Sequence, residues 1–271
     1  MMRSLWSAAS GMIAQQANVD TIAHNLSNVN TTGYKTEKAE FKTLLYQMLQ
    51  TRTTTANGEQ KPIPAQVGLG TRIAAVTSDF AQGSLTASES PTAFGIEGDG
   101  FFAVRRVDGG VSYTRNGDFK LSRGPQGLML ATSEGYPVLD ANGRSILLPD
   151  NISISKLQID VDGNFGYLDA NNRFVSLNQR LGLYQFNNPA GLEKLSGSYL
   201  QETVASGAAL NEDTVNTLTP STIRQKYLEA SNVQVADEMV NLIVAQRAYE
   251  MNSKAIQASD EMLGQANQLR R

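Results

Sequence analysis

From Leu5 to Val29, apolar or uncharged side chains recur at alternating steps of three and four: Leu5, Ala8, Met12, Gln15, Val19, Ile22, Leu26 and Val29. That spacing predicts a helix over residues 4–29, with no proline to break it. Near the other end the chain steps by sevens through Val235, Leu242, Tyr249, Ile256 and Leu263, with Met239, Gln246, Ser253 and Asp260 offset by four. A heptad seam predicts a long helix packed along another. The two ends are therefore expected to pair as a coiled coil. The seam would run through Leu5, Met12, Val19, Ile22 and Leu26 on one side and Val235, Met239, Leu242, Tyr249, Ile256 and Leu263 on the other. An ordinary helical hairpin closing one globule would leave the same pattern.

Between the ends the helical period disappears. Phe41, Leu44, Leu45, Met48 and Leu49 predict a short amphipathic turn or two of helix. Thr51 to Gly58 is polar, and Lys61-Pro62-Ile63-Pro64 reads as extended because each proline restricts its neighbour. Further on, short runs alternate with turn signals. The expected strands are Arg72–Thr77, Phe101–Val107, Val111–Arg115, Phe119–Ser122, Gly127–Ala131, Ile146–Leu148, Ile152–Ile159, Phe165–Leu168, Arg173–Leu177 and Leu181–Phe186. Asp99-Gly100, Asp108-Gly109, Asn116-Gly117, Asn142-Gly143 and Asp162-Gly163 stand between them as hairpin signals. Gly207 to Ser221 is a polar return. Helix is expected to resume from Ser221, either directly or in two pieces around Ala230-Ser231-Asn232. Ser231 or Asn232 would cap the second piece, with Asp237 and Glu238 near its positive end.

The expected class is α+β. Residues 1–33 form an N-terminal coiled-coil helix, 34–66 an extended connecting arm, and 67–206 a central all-β domain of about ten short strands. Residues 207–222 are the return connection, and 223–271 the C-terminal coiled-coil helix.

Charge sharpens this picture. From Met1 to Asn30 the only formally charged side chains are Arg3 and Asp20. A helix covered in Ser, Ala, Asn and Gln suits packing on several sides better than a free surface. It is expected to be disordered in a lone chain and ordered in an assembly. The later helix carries ordinary pairs, such as Glu250 with Lys254. Net charge is −3, which offers no basic field for nucleic acid. There is no cysteine, so disulfides, thiolate metal sites and cysteine nucleophiles are absent. No apolar run is long enough to span a membrane. The first residues lack the apolar core of a cleavable signal, so any export would use another route.

Several stretches of this chain resemble a known family. Asn25-Leu26-Ser27-Asn28-Val29-Asn30-Thr31-Thr32-Gly33-Tyr34-Lys35 closely resembles the N-terminal signature of the bacterial flagellar rod and hook proteins, with His24 and Tyr34 as mild departures. Within that signature, Asn25, Asn28, Asn30, Gly33 and Tyr34 are the motif positions, and Gly33 is expected to close the first helix in a left-handed conformation. Gly95 to Val104, Tyr113 to Phe119 and Gly135 to Leu139 are similar to successive blocks of the family's β domain. Ser90 to Phe94 departs from its usual aspartate-containing run. Ser231 to Asn241 and Gln246 to Glu250 resemble its C-terminal block. The 43–66 stretch falls where the family's distal rod members carry an additional segment, and the whole matches those members best.

The resemblance implies a structural subunit rather than an enzyme, needing no cofactor. Export would pass through the flagellar type III apparatus to a basal-body site outside the cytoplasm. The subunit would stack with itself into a helical tube acting as a drive shaft. Its neighbours would be other rod proteins, the hook protein and the surrounding basal-body ring. Proximal rod or hook proteins are the alternatives, and more distantly a β-rich binding module on a helical stalk.

Candidate chemistry adds little. The single histidine, His24, sits among amides on the first helix, where a structural role is expected. Asp160-Val161-Asp162-Gly163-Asn164 lacks the glutamate and flanking helices of a calcium loop and reads as a turn. Gly95 to Gly100 is glycine-rich, but no helix follows to hold a phosphate. No catalytic, cofactor or metal residues are expected.

Overall fold

A computed structural model describes residues 2–50, 65–124, 127–149, 157–160, 163–168, 173–215 and 217–268. The polar run Thr51–Gly58 and the extended segment Lys61–Pro64 lie outside these, as do residues 152–156 of one expected strand and the centre of the 160–164 turn. The chain divides into two compact units. One holds residues 1–27, 37–78 and 234–271, and the other residues 28–36 and 79–233. The result is an α+β chain in which a β domain is inserted between two helical ends.

The helical unit contains α1 (Met2–Ser27), β1 (Glu37–Thr43), β2 (Tyr46–Gln50), β3 (Ala65–Gly68), β4 (Thr71–Ser78) and α2 (Val235–Gln268). β1 pairs with β4 and β2 with β3, both antiparallel. The helical turn expected at residues 41–49 is therefore strand. Ala39 and Phe41 alternate with Lys38, Glu40 and Lys42, and this period of two prevails over the helical spacing of Phe41, Leu44 and Leu45. A bulge between Glu40 and Phe41 adjusts the register. The strand expected at Arg72–Thr77 forms, but in this unit rather than with the other strands.

The β unit runs through β5 (Leu85–Ala87), β6 (Phe94–Glu97), β7 (Phe101–Arg105), β8 (Val111–Thr114), β9 (Lys120–Gly124) and β10 (Gly127–Ala131). It continues through β11 (Leu147–Leu148), β12 (Leu157–Ile159), β13 (Asn164–Leu168), β14 (Phe174–Arg180) and β15 (Leu183–Gln185). β16 (Glu193–Lys194), β17 (Leu200–Gln201), β18 (Leu210–Asn211), β19 (Thr222–Gln225) and β20 (Tyr227–Glu229) complete it. The largest sheet has the order β16-β17-β8-β7-β15-β18. The unit also holds the three-stranded sheets β11-β10-β9 and β12-β13-β14 and the pairs β19-β6 and β20-β5.

Neighbouring residues of β7 point to opposite faces, and each face meets a different core. Phe102 and Val104 join Phe94, Phe119, Leu130 and Phe165. Phe101 and Ala103 join Tyr113, Leu139 and Phe186. Burial on both sides explains the unbroken apolar run from Phe101 to Val104. The rings meet edge-on, as in Phe102 against Phe119 at 5.1 Å and Phe94 against Phe165 at 6.1 Å between centroids.

Two of the glycine turn signals do not make hairpins. Asp99-Gly100 and Asn116-Gly117 connect strands of different sheets. Gly117 is needed for close approach, since a Cβ there would lie 1.7 Å from the Phe94 carbonyl oxygen. Asp108-Gly109 does turn the β7–β8 hairpin.

The helix expected from residue 223 begins only at Val235. Thr222–Gln225 and Tyr227–Glu229 are strands instead, paired with β6 and β5. Ile223 is buried in the core, and Lys226 takes φ 63 between the strands, which no helix continues through. Nor do Ser231 and Asn232 cap α2. The Ser231 hydroxyl accepts from Val233 N–H, and the Asn232 side chain is engaged elsewhere. The first helical bond runs from Glu238 N–H to the Gln234 carbonyl, with Asp237 and Glu238 in the opening turn as expected.

Candidate assembly interface

α1 and α2 lie antiparallel and close. The Ser4 and Ser259 hydroxyls are 3.4 Å apart. Seven residues on along α1 and seven back along α2, Gly11 faces Asn252 so tightly that a Cβ on Gly11 would be 2.9 Å from its Nδ2. Small side chains at the crossing line let two helices approach more closely than leucines would.

The expected seam is partly on this line. Ile22 is buried, and Leu5, Met12, Val19, Leu26, Leu242 and Ile256 are half-buried. Val235, Met239, Tyr249 and Leu263 are exposed. On α2 the covered positions are Glu238, Ala245, Asn252 and Ser259, so the second covered row is offset from Leu242 by three rather than four. Sequence reasoning passed over it because alanine, asparagine and serine carry no hydrophobic signal.

A second side of α1 is covered by the β1–β4 ribbon. Ala14 and Thr21 are buried there or beside α2, and the Thr21 hydroxyl donates back to the Ala17 carbonyl. Thr71 N–H donates to the Ser10 hydroxyl, and Gly70 at φ 118 passes where any Cβ would strike Ser10 Oγ. Asn25 is buried, giving its Nδ2 to the Glu37 carbonyl at 2.8 Å and accepting Glu37 N–H at 2.9 Å. His24 stands exposed at 3.8 Å from Glu37. A helix covered on two sides needs few charges, which accounts for the composition of α1.

What remains uncovered is apolar. Trp6 and Ile13 on α1 are 72% and 65% exposed. The ribbon strands and their links present Phe41, Leu45, Tyr46, Met48 and Leu49, and α2 presents Met239, Val240, Ile243, Val244 and Met251. The outer face of α2 is thus not the ordinary charged surface expected. Glu250 pairs with Arg247 rather than Lys254. Among the described residues twenty-six large apolar side chains are exposed. Six belong to the β unit (Val107, Val111, Phe174, Val175, Val204 and Tyr227), and the other twenty to the helical unit.

The remaining motif positions sit in the β unit around a buried ionic knot. The Asn28 side chain accepts from the Thr31 hydroxyl, Tyr34 is half-buried and Asn30 is exposed. Gly33 is left-handed, φ 71, but six residues past the end of α1, so it does not close that helix. Instead its N–H donates to the Glu229 carbonyl, and a Cβ would lie 2.7 Å from the backbone of Arg115. The Glu229 carboxylate accepts from Lys35 Nζ at 2.7 Å, Arg115 Nε at 2.9 Å and Gly83 N–H at 2.9 Å. Arg115 also donates to the carbonyls of Gly98 and Gly100 and lies over the Phe101 ring. Thr36 gives both its N–H and its hydroxyl to Asn232 Oδ1. Burial, and next the Arg115 charge, hold the Lys35 ammonium below its usual pKa, against the pull of Glu229. Lys35, Arg115 and Glu229 come from three distant segments, so no spacing announces them. The knot fixes the segments by which the chain enters and leaves this unit. Among the described residues no group of three His, Asp or Glu is placed to hold a metal.

The chain matches three family models. Residues 5–35 match "Flagella basal body rod protein", 95–167 "Flagellar hook protein FlgE/F/G D1 domain", and 224–269 "Flagellar basal body rod FlgEFG protein C-terminal". It is 45% identical to the flagellar basal-body rod protein FlgG of Borreliella burgdorferi over 100% of both chains. Against FlgG of Buchnera aphidicola from Schizaphis graminum, identity is 40% over 99% of this chain and 100% of the other. Against FlgG of Bacillus subtilis it is 32% over 100% of both.

Proposed function

The chain belongs to the FlgG-type flagellar basal-body rod proteins and is a structural subunit of the distal rod, and on that premise we propose that it polymerises through its helical unit into a rigid helical tube. The terminal helices pair as a coiled coil that forms the tube's inner wall. Each subunit's exposed apolar surface is covered by its neighbours, and the assembled shaft carries torque from motor to hook. The contacts are heterologous, so the array grows without closing into a ring. Other rod proteins and the hook protein meet its ends, and a basal-body ring surrounds it. The subunit works outside the cytoplasm. No helix among the described residues is long and apolar enough to cross a membrane.

The carrying observation is the division of exposed apolar side chains, twenty against six. Exposed apolar side chains concentrated in one part of a molecule mark an interaction surface. A double substitution of Val240 and Val244 to Asp tests it. Both side chains are more than half exposed, so the folded monomer should be unchanged within about 0.5 kcal/mol. Polymers seen by electron microscopy should disappear. Polymers of normal form would refute the reading.

A further inference from the structure

A cleft of about 320 Å³ opens in the β unit between the turn at residues 140–142, strands β13 and β14, and residues 211–214. Its size falls in the usual range for small-ligand sites, about 300–1,000 Å³. Its lining residues are of polar type except Ala141.

The charged groups of the lining are committed to one another or to the backbone. Asp140 Oδ1 accepts from the N–H of Ala141 at 2.7 Å and of Arg180 at 2.9 Å, and its Oδ2 from Asn142 at 3.3 Å. Arg180 is paired with Asp213. Asn211 donates to the Ala141 carbonyl at 2.7 Å, which ties the 211–214 wall to the turn. These bonds tie the walls to one another. By contrast, the side-chain carboxamides of Asn164 and Asn178 line the cleft and make no hydrogen bond among the described residues. Asn178 has φ 53, and it lies where the β13–β14 register shifts. A bulge of this kind re-aims a side chain, and bulges gather beside binding sites.

We propose that this cleft binds a short neutral saccharide. A carboxamide donates and accepts at once, as a sugar hydroxyl does, so two open carboxamides match a run of hydroxyl groups. An anion would meet Asp140 and Asp213. A divalent cation would need free carboxylate oxygens, and those of Asp140 are occupied while Asp213 is held by Arg180. A peptide would be gripped through pockets for its apolar side chains, and the cleft has none.

Saturation-transfer NMR on the full-length protein tests this, with maltotriose and tri-N-acetylchitotriose as probes. Saturable transfer to at least one of them in the millimolar range is expected. It should fall at least tenfold in the double variant Asn164→Ala, Asn178→Gly, with circular dichroism and melting temperature unchanged. If the double variant melts lower, Asn178→Gly alone carries the test, because glycine keeps the left-handed backbone. No saturable transfer with either sugar would overturn the proposal, as would transfer that survives in the variant. Calcium binding by the parent and not the variant, measured by calorimetry, would overturn it in favour of a cation site.

Discussion

The two units solve opposite problems with the same alphabet. The β unit turns its largest side chains inward. Phe94, Phe101, Phe102, Phe119 and Phe165 are all at most 2% exposed. The helical unit does the reverse. Its buried side chains include Ala8, Ala14, Thr21 and Ala245, while Trp6, Ile13, Val240 and Val244 lie outside. Fully burying one such large side chain is worth about 1.5–3 kcal/mol. The β unit collects that stabilisation within one chain. The helical unit leaves much of it uncollected within the chain.

Substitutions can break this contrast. The largest effect is expected at Phe102, which touches Phe119 and lies wholly inside. Phe102→Ala should destabilise the chain by about 3–5 kcal/mol in urea unfolding followed by near-ultraviolet circular dichroism. Glu229→Ala should cost a similar amount, about 3–5 kcal/mol in the same measurement, because it strands Lys35 and Arg115 as buried cations without their carboxylate. Trp6→Ala should change monomer stability by less than about 0.5 kcal/mol, yet raise the concentration needed for polymerisation in a sedimentation assay. If Trp6→Ala proved as destabilising to the monomer as Phe102→Ala, the two units would not differ in the way described.

The smallest effect concerns pH. The folded-state pKa of Lys35 is lowered from 10.5, so between that lowered value and 10.5 the unfolded chain binds more protons and stability rises with pH. Burial raises the pKa of Tyr113, Tyr184 and Tyr199. Unfolded tyrosines ionise near pH 10, so above about pH 10 the unfolded chain loses protons first and stability falls. Melting temperature should therefore pass through a maximum on the alkaline side of neutral. Lys35→Met should flatten its rising limb, and a rise of unchanged slope in that variant would remove Lys35 as the cause.

Sequence reasoning reached the two helices and much of the β unit because both leave periodic traces. The two long helices and the Asp108-Gly109 hairpin are legible in this way. It did not reach features whose signal is small size or distance. The covered row Ala245, Asn252 and Ser259 is made of residues that mark no apolar stripe. The knot of Lys35, Arg115 and Glu229 is assembled only when three separated segments meet. Residues 222–229 mix apolar and charged positions in a way that fits either period, and pairing with β5 and β6 decides for strand. Gly33 is left-handed as its sequence context predicts, but it serves a close approach to Arg115 rather than the end of a helix.

The central claim is that the helical unit is completed by neighbouring copies while the β unit is complete alone. Hydrogen exchange read by mass spectrometry, on monomer and polymer of the same preparation, addresses it directly. Residues 2–27 and 235–268 should exchange faster in the monomer than in the polymer, while β7, β8 and β10 stay equally protected in both. Equal protection of the two helices in monomer and polymer would contradict the account.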